Sequence, residues 1–244
     1  MKLFPYRSTL ALLGATWLLA ACSPQGGQPN APAAPNPQQA LNAKAADQLN
    51  TYHELLRIKN DEMAVSMGHD ILEHYPNTPA AAEVAQSLPA IEARYKATSE
   101  KNRLAALWLY QVSPMAGGTQ STATIDSSQP SGDDRVRLVL RRHTQWGQNA
   151  FLYGAGHGFV CRGNCTIATN VDGKSVGIKA FAPTTGEPAL MIRDDKAFIA
   201  MLEKAKKITM NVTLVDGEKK EALVYEVGGF DPSKWASVGK GKRK

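Results

Sequence analysis

The periodicity of the apolar residues changes near residue 106, and this change constrains the fold more than any other feature of the sequence. From Leu41 to Ala106, apolar residues recur every three or four positions, which is typical of amphipathic helices. From Leu107 onward, short apolar runs are separated by Gly, Pro, Asp and Ser, which is typical of β-strands. The sequence therefore predicts an α+β chain, with a helical segment over 41–106 and an antiparallel β-domain over 107–235.

Three apolar stripes at helical spacing lie in the first part, over 49–56, 63–75 and 80–95. Between the second and third stripes, Thr78 is placed to cap a new helix. Pro89 interrupts the third stripe and is expected to kink or split that helix. The stretch 68–85, with Tyr-Pro before the turn and an Ala-rich restart after it, resembles one tetratricopeptide-type hairpin of bacterial envelope proteins. The resemblance implies a helical hairpin that either packs on the next domain or forms a peptide-binding groove.

The second part contains eight short apolar runs, a helix and a clear final hairpin. The helix is capped by Asp194, and the hairpin joins 208–214 to 223–227. Nine or ten short strands with one helix predict a β-sandwich-like domain or a curled antiparallel sheet. The eight runs are 107–112, 122–125, 135–141, 150–153, 157–161, 165–168, 175–181 and 189–192.

The beginning of the chain carries an export signal. Lys2 and Arg7 form a basic region, residues 10–19 are apolar, and two alanines precede Cys22. The apolar run is too short to span a bilayer. The ending Leu-Ala-Ala-Cys resembles the lipobox of bacterial lipoproteins. This resemblance implies removal of 1–21, lipidation of Cys22 and, because Ser23 follows the cysteine, an outer-membrane protein that faces the periplasm.

Charge and composition separate a tether and a tail from the body of the chain. After the lipidated cysteine, residues 23–40 contain five prolines and no charge, so 22–40 is expected to be a disordered tether. The chain has 28 Lys and Arg against 22 Asp and Glu, and five of the basic residues lie in 232–244. Residues 236–244 therefore form a basic disordered tail, and the near-neutral body argues against nucleic-acid binding.

Two cysteines beyond the lipobox, Cys161 and Cys165, flank an Arg-Gly-Asn tip suited to a tight hairpin turn. An exported chain meets an oxidising compartment, so a structural disulfide is expected between them. His157 lies four residues before Cys161 and offers a competing interpretation, a metal site. No fourth ligand stands near these three residues, and we therefore predict neither a metal nor a cofactor.

Motifs for catalysis are weak. Residues 173–177 match the Gly-x-Ser-x-Gly pattern of hydrolases, but they follow a turn that opens a strand, and no histidine lies beyond His157 to complete a triad. The glycine-rich stretch 154–158 is not followed by a helix that would bind phosphate. The sequence therefore predicts no catalytic residue and a protein that is not an enzyme.

The strongest binding candidates are basic residues on one strand and in one loop. Alternate arginines of a strand share a face and would line an anion or glycan site near His143 and Trp146. The alternative is a solvated face whose charge prevents edge pairing. The candidates are Arg135, Arg137, Arg141, Arg142, His157 and Arg162.

These features favour a non-catalytic outer-membrane lipoprotein that acts as a periplasmic binding or adaptor module for another envelope component, most simply a protein. The order of segments over 107–235 also resembles uncharacterised periplasmic accessory domains. One alternative is a lipoprotein inhibitor or immunity protein that blocks a cell-wall hydrolase with the 154–165 loop. A second alternative is a hydrolase of unknown type.

Overall fold

The computed structural model describes residues 36–154 and 156–239. Within these residues the chain forms four α-helices and nine strands. All strand pairs are antiparallel, so the predicted α+β class is confirmed. The predicted signal peptide, the lipidation site Cys22, most of the tether and the last five residues lie outside the described residues.

The helical segment is a three-helix unit. Its helices are α1 (Pro37–Arg57), α2 (Asp61–His74) and α3 (Pro79–Ala106). Helix α1 begins inside the predicted tether, because the Asn36 side chain accepts a hydrogen bond from the Gln38 amide at 3.1 Å and proline is tolerated in a first turn. Residues 37–40 are therefore helical.

The turn between α2 and α3 follows the sequence prediction, whereas the predicted split of α3 at Pro89 does not occur. The Thr78 hydroxyl accepts a hydrogen bond from the Ala81 amide at 3.2 Å and caps α3. Helix α3 then continues through Pro89 to Ala106. Pro89 has no amide hydrogen to donate to the Ala85 carbonyl. Both residues lie on the exposed side of the helix, so water can satisfy that carbonyl.

The three helices enclose their own apolar core. Tyr52 of α1, Ile71 of α2 and Val84 of α3 are almost fully buried in it. The buried stripe of α2 runs through Ala64 rather than the predicted Met63, whose side chain is 55% exposed. This core contains none of the sheet residues that are described.

Nine strands form one sheet. The strands are β1 (Leu109–Met115), β2 (Gly118–Asp126), β3 (Arg137–His143), β4 (Gly147–Tyr153), β5 (Asn164–Val171), β6 (Lys174–Phe181), β7 (Ala189–Ile192), β8 (Ile208–Thr213) and β9 (Lys220–Tyr225). Their order in the sheet is β1-β2-β3-β4-β7-β6-β5-β8-β9. A short helix, α4 (Asp195–Leu202), is capped by Asp194 and follows β7.

The sheet curls until β9 meets the segment that follows β2. The Ser128 amide donates to the Val224 carbonyl at 2.7 Å, and the Val224 amide donates to the Gln129 carbonyl at 2.9 Å. The buried Tyr225 hydroxyl donates to the Val136 carbonyl at 3.2 Å. These bonds bring β8 and β9 over the same core as β3 and β4.

One predicted strand does not form as expected. Residues 157–161 make a single isolated bridge, between Phe159 and Leu214, and do not pair with β5 as one arm of a hairpin. The Val160 amide donates to the Thr213 carbonyl at 2.8 Å instead, which places this segment beside the end of β8. Strand β5 pairs instead with β6, across the two-residue turn at Asp172-Gly173, and with β8 on its other side.

The last turn of α3 joins the helical unit to the sheet. Arg103 forms an ion pair with Glu226 at 2.8 Å. The backbone of Gly229 packs so closely on Leu104 that an added Cβ would overlap the Leu104 carbonyl group. The junction is therefore a specific contact between α3 and residues 227–229, beside the two separate cores.

Candidate binding groove

The face of the sheet opposite the core carries a groove over β2, β3, β4, β7 and β6. Its volume is about 600 Å³, within the usual range for ligand sites. Cross-strand pairing arranges the residues that line the groove in rows perpendicular to the strands. The central row comprises Thr124, Val139, Phe151, Met191 and Phe181, which are successive cross-strand partners.

Arginines lie in the rows on both sides of this central row. Thr122, Arg141 and Asn149 are cross-strand neighbours on one side. Arg137 occupies the corresponding position on the other side, between Asp126 and Tyr153. The groove therefore combines an apolar floor with two guanidinium groups, and its remaining wall residues are mostly polar or small.

The Arg141 guanidinium is only partly solvated and has few partners. It lies 5.2 Å from the ring centre of Trp146 and 5.1 Å from that of Phe151, which are cation–π distances. Its Nη2 donates to Asn149 Oδ1 at 3.0 Å, and its Nε is buried without a hydrogen-bond partner in the described part of the chain. Burial lowers the pKa of Arg141, and the carboxylate of Glu187 opposes this effect.

No carboxylate of the described residues lies within ion-pair distance of Arg141. Glu187 lines the same groove, but its side chain is engaged by the Thr185 hydroxyl. That hydrogen bond, with smaller help from its own backbone amide and from Arg141, lowers the pKa of Glu187. Arg141 therefore has donors available for an acceptor that the rest of the described chain does not supply.

Trp146 is held beside Arg141 by a buried histidine. The His143 side chain is stacked on Trp146 with ring centres 3.9 Å apart, and His143 is only 2% exposed. His143 Nδ1 accepts hydrogen bonds from the backbone amides of Gln145 and Trp146 at 3.2 and 3.3 Å. Because both bonds need an unprotonated Nδ1, the ring hydrogen lies on Nε2. The stack holds the Trp146 ring in position beside the Arg141 guanidinium.

Arg137 differs from Arg141 because it has a carboxylate partner. Its Nε and Nη2 donate to the two carboxylate oxygens of Asp126 at 2.7 and 3.1 Å. These hydrogen bonds hold the pKa of Asp126 below its usual value and raise that of Arg137. Most of the hydrogen-bonding capacity of this guanidinium is used within the protein, so Arg141 is the stronger candidate for ligand binding.

The other predicted arginines lie outside the groove. Arg142 points to the core side of β3, where it covers the Trp235 ring at 3.7 Å and donates to the Trp235 carbonyl at 2.7 Å. Arg135 precedes β3 and donates to the Gly132 carbonyl at 2.8 Å. Strand alternation separates Arg142 from Arg137 and Arg141, so the predicted cluster of four is wrong in this respect.

The remaining predicted residues lie in the 156–165 loop. Cys161 and Cys165 form a disulfide with Cα atoms 5.6 Å apart, and Arg162 is exposed between them. The His157 ring and backbone amide both bond the Asp216 carboxylate, which lowers the pKa of Asp216. This loop is joined to the turn after β8 and is separate from the groove lining.

Among the described residues there is no cluster of three or more metal-ligating side chains. The thiols of Cys161 and Cys165 are joined to each other, which removes them as thiolate ligands. The Gly-x-Ser-x-Gly match at 173–177 opens β6 after a turn at Asp172, where φ is +48°, and is followed by strand. The sequence predicted this arrangement, a turn that opens a strand.

A second depression lies over β5, β6 and β8, with a volume of about 530 Å³. Its lining residues are uncharged and mostly small or polar, such as Thr166, Ser175 and Asn211. It offers neither a charged group nor an aromatic ring, so the groove on the β2–β4 side is the better candidate.

Comparison with protein families, with curated sequences and with solved structures finds no match for the chain. In the part of the chain that the structure describes, none of the helices has the length and apolarity needed to cross a bilayer.

Sequence reasoning missed the apolar floor of the groove. Phe151 and Tyr153 alternate with the buried residues Ala150 and Leu152, so the second half of β4 is apolar on both faces. A strand that is apolar on both faces indicates a second covered or ligand-binding surface. That signal was present in the sequence, whereas the approach of Met191 depends on non-local strand pairing.

Proposed function

We propose that this chain is a non-catalytic outer-membrane lipoprotein that faces the periplasm and binds another envelope component through the groove. The observation that carries the binding function is Arg141. A half-buried guanidinium, bordered by two aromatic rings and lacking a carboxylate among the described residues, has the chemistry of a recognition site. The location comes from the signal and lipobox resemblance of residues 1–22.

The proposal includes a sandwich-like arrangement of the curled sheet, with two halves that cover one core. Its support is the single apolar cluster that joins Leu138 and Leu152, from β3 and β4, to Met210 and Leu223, from β8 and β9. Such a body leaves the outer face of β2–β4 free of the core and gives the groove a stiff floor.

Capture from cross-linked envelopes tests the binding function and its main rival. We expect Arg141→Gln to reduce capture of the specific partner at least about tenfold, since a charge-assisted contact contributes about 1.5–3 kcal/mol. Arg162→Gln, on the disulfide loop, is the matched control and should capture normally. If Arg162→Gln loses a cell-wall hydrolase while Arg141→Gln retains it, the inhibitor function replaces this proposal.

Membrane fractionation tests the proposed location. We expect Cys22→Ser to release the protein from the membrane fraction, because lipid chains on that residue supply the anchor. The fractions should be washed at high salt, which screens any attachment through the basic tail. Retention of the Cys22→Ser variant after the wash would contradict the lipoprotein proposal.

A further inference from the structure

We infer that the groove binds an extended peptide segment whose carboxylate pairs with Arg141 and whose apolar side chains lie over Phe151, Met191 and Phe181. This inference rests on the proposed binding function and specifies its ligand.

The dimensions of the floor suit a short extended chain. From β3, which carries Arg141, to β6, which carries Phe181, the floor crosses β4 and β7. Three interstrand steps of about 4.8 Å give about 14 Å, the length of roughly four extended residues. The floor between these positions is formed by Phe151 and Met191, which would contact apolar side chains of such a segment.

The walls favour a peptide over a simple acyl chain. Thr122 and Asn149 are the cross-strand neighbours of Arg141 at one end of the apolar floor, and Thr185 also lines the groove; these residues present hydroxyl and amide groups. Peptide N–H and C=O groups need such partners when they leave water. A hydrocarbon chain would form no hydrogen bonds with these groups. Its binding would remove them from water, which costs free energy.

The carboxylate requirement comes from Arg141. Its planar guanidinium matches a carboxylate in a two-bond arrangement, and no carboxylate of the described residues lies within ion-pair distance of it. Aromatic rings on two sides shield the guanidinium partly from water, which strengthens such a pair. Two sources supply this group in a peptide, the C-terminus and an acidic side chain.

Binding of synthetic peptides to the Cys22→Ser chain, which keeps every described residue, tests the inference. The probes are N-acetyl-leucyl-phenylalanine, its C-terminal amide, N-acetyl-glutamyl-leucyl-phenylalanine amide, and decanoate. Two readouts are available: tryptophan fluorescence, to which Trp146, 46% exposed beside Arg141, contributes, and the arginine Nε signals in ¹H–¹⁵N spectra. The Arg141 signal is assigned by its loss in Arg141→Gln.

We expect the free acid to bind about 10- to 100-fold more tightly than its amide and to shift the Arg141 Nε signal. Arg141→Gln should abolish this preference, and Arg162→Gln should keep it. Tight binding of the glutamyl amide would also support the inference and would identify a side-chain carboxylate as the source. Equal affinity for acid and amide, or stronger binding of decanoate than of both carboxylate peptides, would overturn it.

The comparison of acid with amide uses the chain with Arg141 in place, so the inference is tested even if Arg141→Gln fails to fold. Failure of this inference is distinct from failure of the proposed function. If envelope capture depends on Arg141 but the peptide acids show no advantage over the amides, the groove is a binding site for another class of ligand.

Discussion

Arg141 and Arg142 are adjacent in sequence but lie on opposite faces of β3. Arg142 is on the core side, where its stack on Trp235 and its hydrogen bond to the Trp235 carbonyl hold the C-terminal segment. The Trp235 indole N–H also donates to the Ser121 carbonyl at 3.1 Å, and the ring is 2% exposed. Arg142 therefore holds the segment around Trp235, whereas the Arg141 guanidinium has no carboxylate partner among the described residues and faces the groove.

At the same scale, the Cys161–Cys165 disulfide is expected to hold the preceding loop beside β8. Replacing both cysteines by serine should lower the free energy of unfolding by about 2 kcal/mol, because the closed loop is short. Urea unfolding measures this change. Hydrogen exchange should also quicken at Val160, whose amide donates to the Thr213 carbonyl. The Ile167 amide in β5 is the internal control, and its exchange should not change. Unchanged exchange at Val160 would contradict this role.

At the scale of elements, a bidentate ion pair joins the start of α2 to α3. Arg94 Nε and Nη2 donate to the two Asp61 carboxylate oxygens at 2.6 and 2.5 Å. The Arg94 guanidinium thereby holds the pKa of Asp61 below its usual value. A depressed folded-state pKa stabilises the fold above the unfolded-state pKa of about 3.9, and this stabilisation is lost as pH falls through the folded-state pKa.

We therefore expect acid to destabilise the unaltered protein more than Asp61→Asn between about pH 5 and about pH 2. The measurement is urea unfolding at both pH values, with helix content as the signal. Asp133→Asn is the control, because Asp133 is an exposed carboxylate on the sheet side of the molecule. Equal acid-induced losses of stability in the unaltered protein and in Asp61→Asn would contradict the prediction.

Local patterns predicted the helices and most strands because period and capping are properties of neighbouring residues. Thr78 and Asp194 cap the helices that the sequence assigned to them. Pairing between distant strands was not predictable in this way. The β4–β7 and β5–β8 pairs decide which residues become neighbours, so they place Met191 beside Phe151 and leave 157–161 without β5 as a partner.

The candidate site shows the same division. Strand alternation predicted that Arg137 and Arg141 share a face, and the structure agrees. Alternation could not predict that Asp126 would form an ion pair with Arg137, since that contact depends on the register between β2 and β3. Arg142 was misassigned because it was treated as a neighbour of Arg141 in sequence rather than as a residue on the opposite face.

At the scale of the whole molecule, the last turn of α3 connects two apolar cores within the described residues. The helical core and the sheet core share no described residue, and the last turn of α3 meets residues 227–229 between them. The Arg103–Glu226 ion pair lies at this junction, with Arg103 also bound to Glu100. The two units should therefore be able to fold separately, while this contact makes their unfolding cooperative.

Gly229→Ala is expected to weaken that coupling. A Cβ at this position would overlap the Leu104 carbonyl group, so the end of α3 and the 227–229 segment must move apart. Overpacking of this kind costs about 1–3 kcal/mol. In calorimetry, we expect the variant to unfold at a lower temperature, with the helical unit melting before the sheet. Gly239→Ala is the matched control, because a Cβ there enters open space. A single transition at the original temperature in Gly229→Ala would show that the junction does not couple the two units.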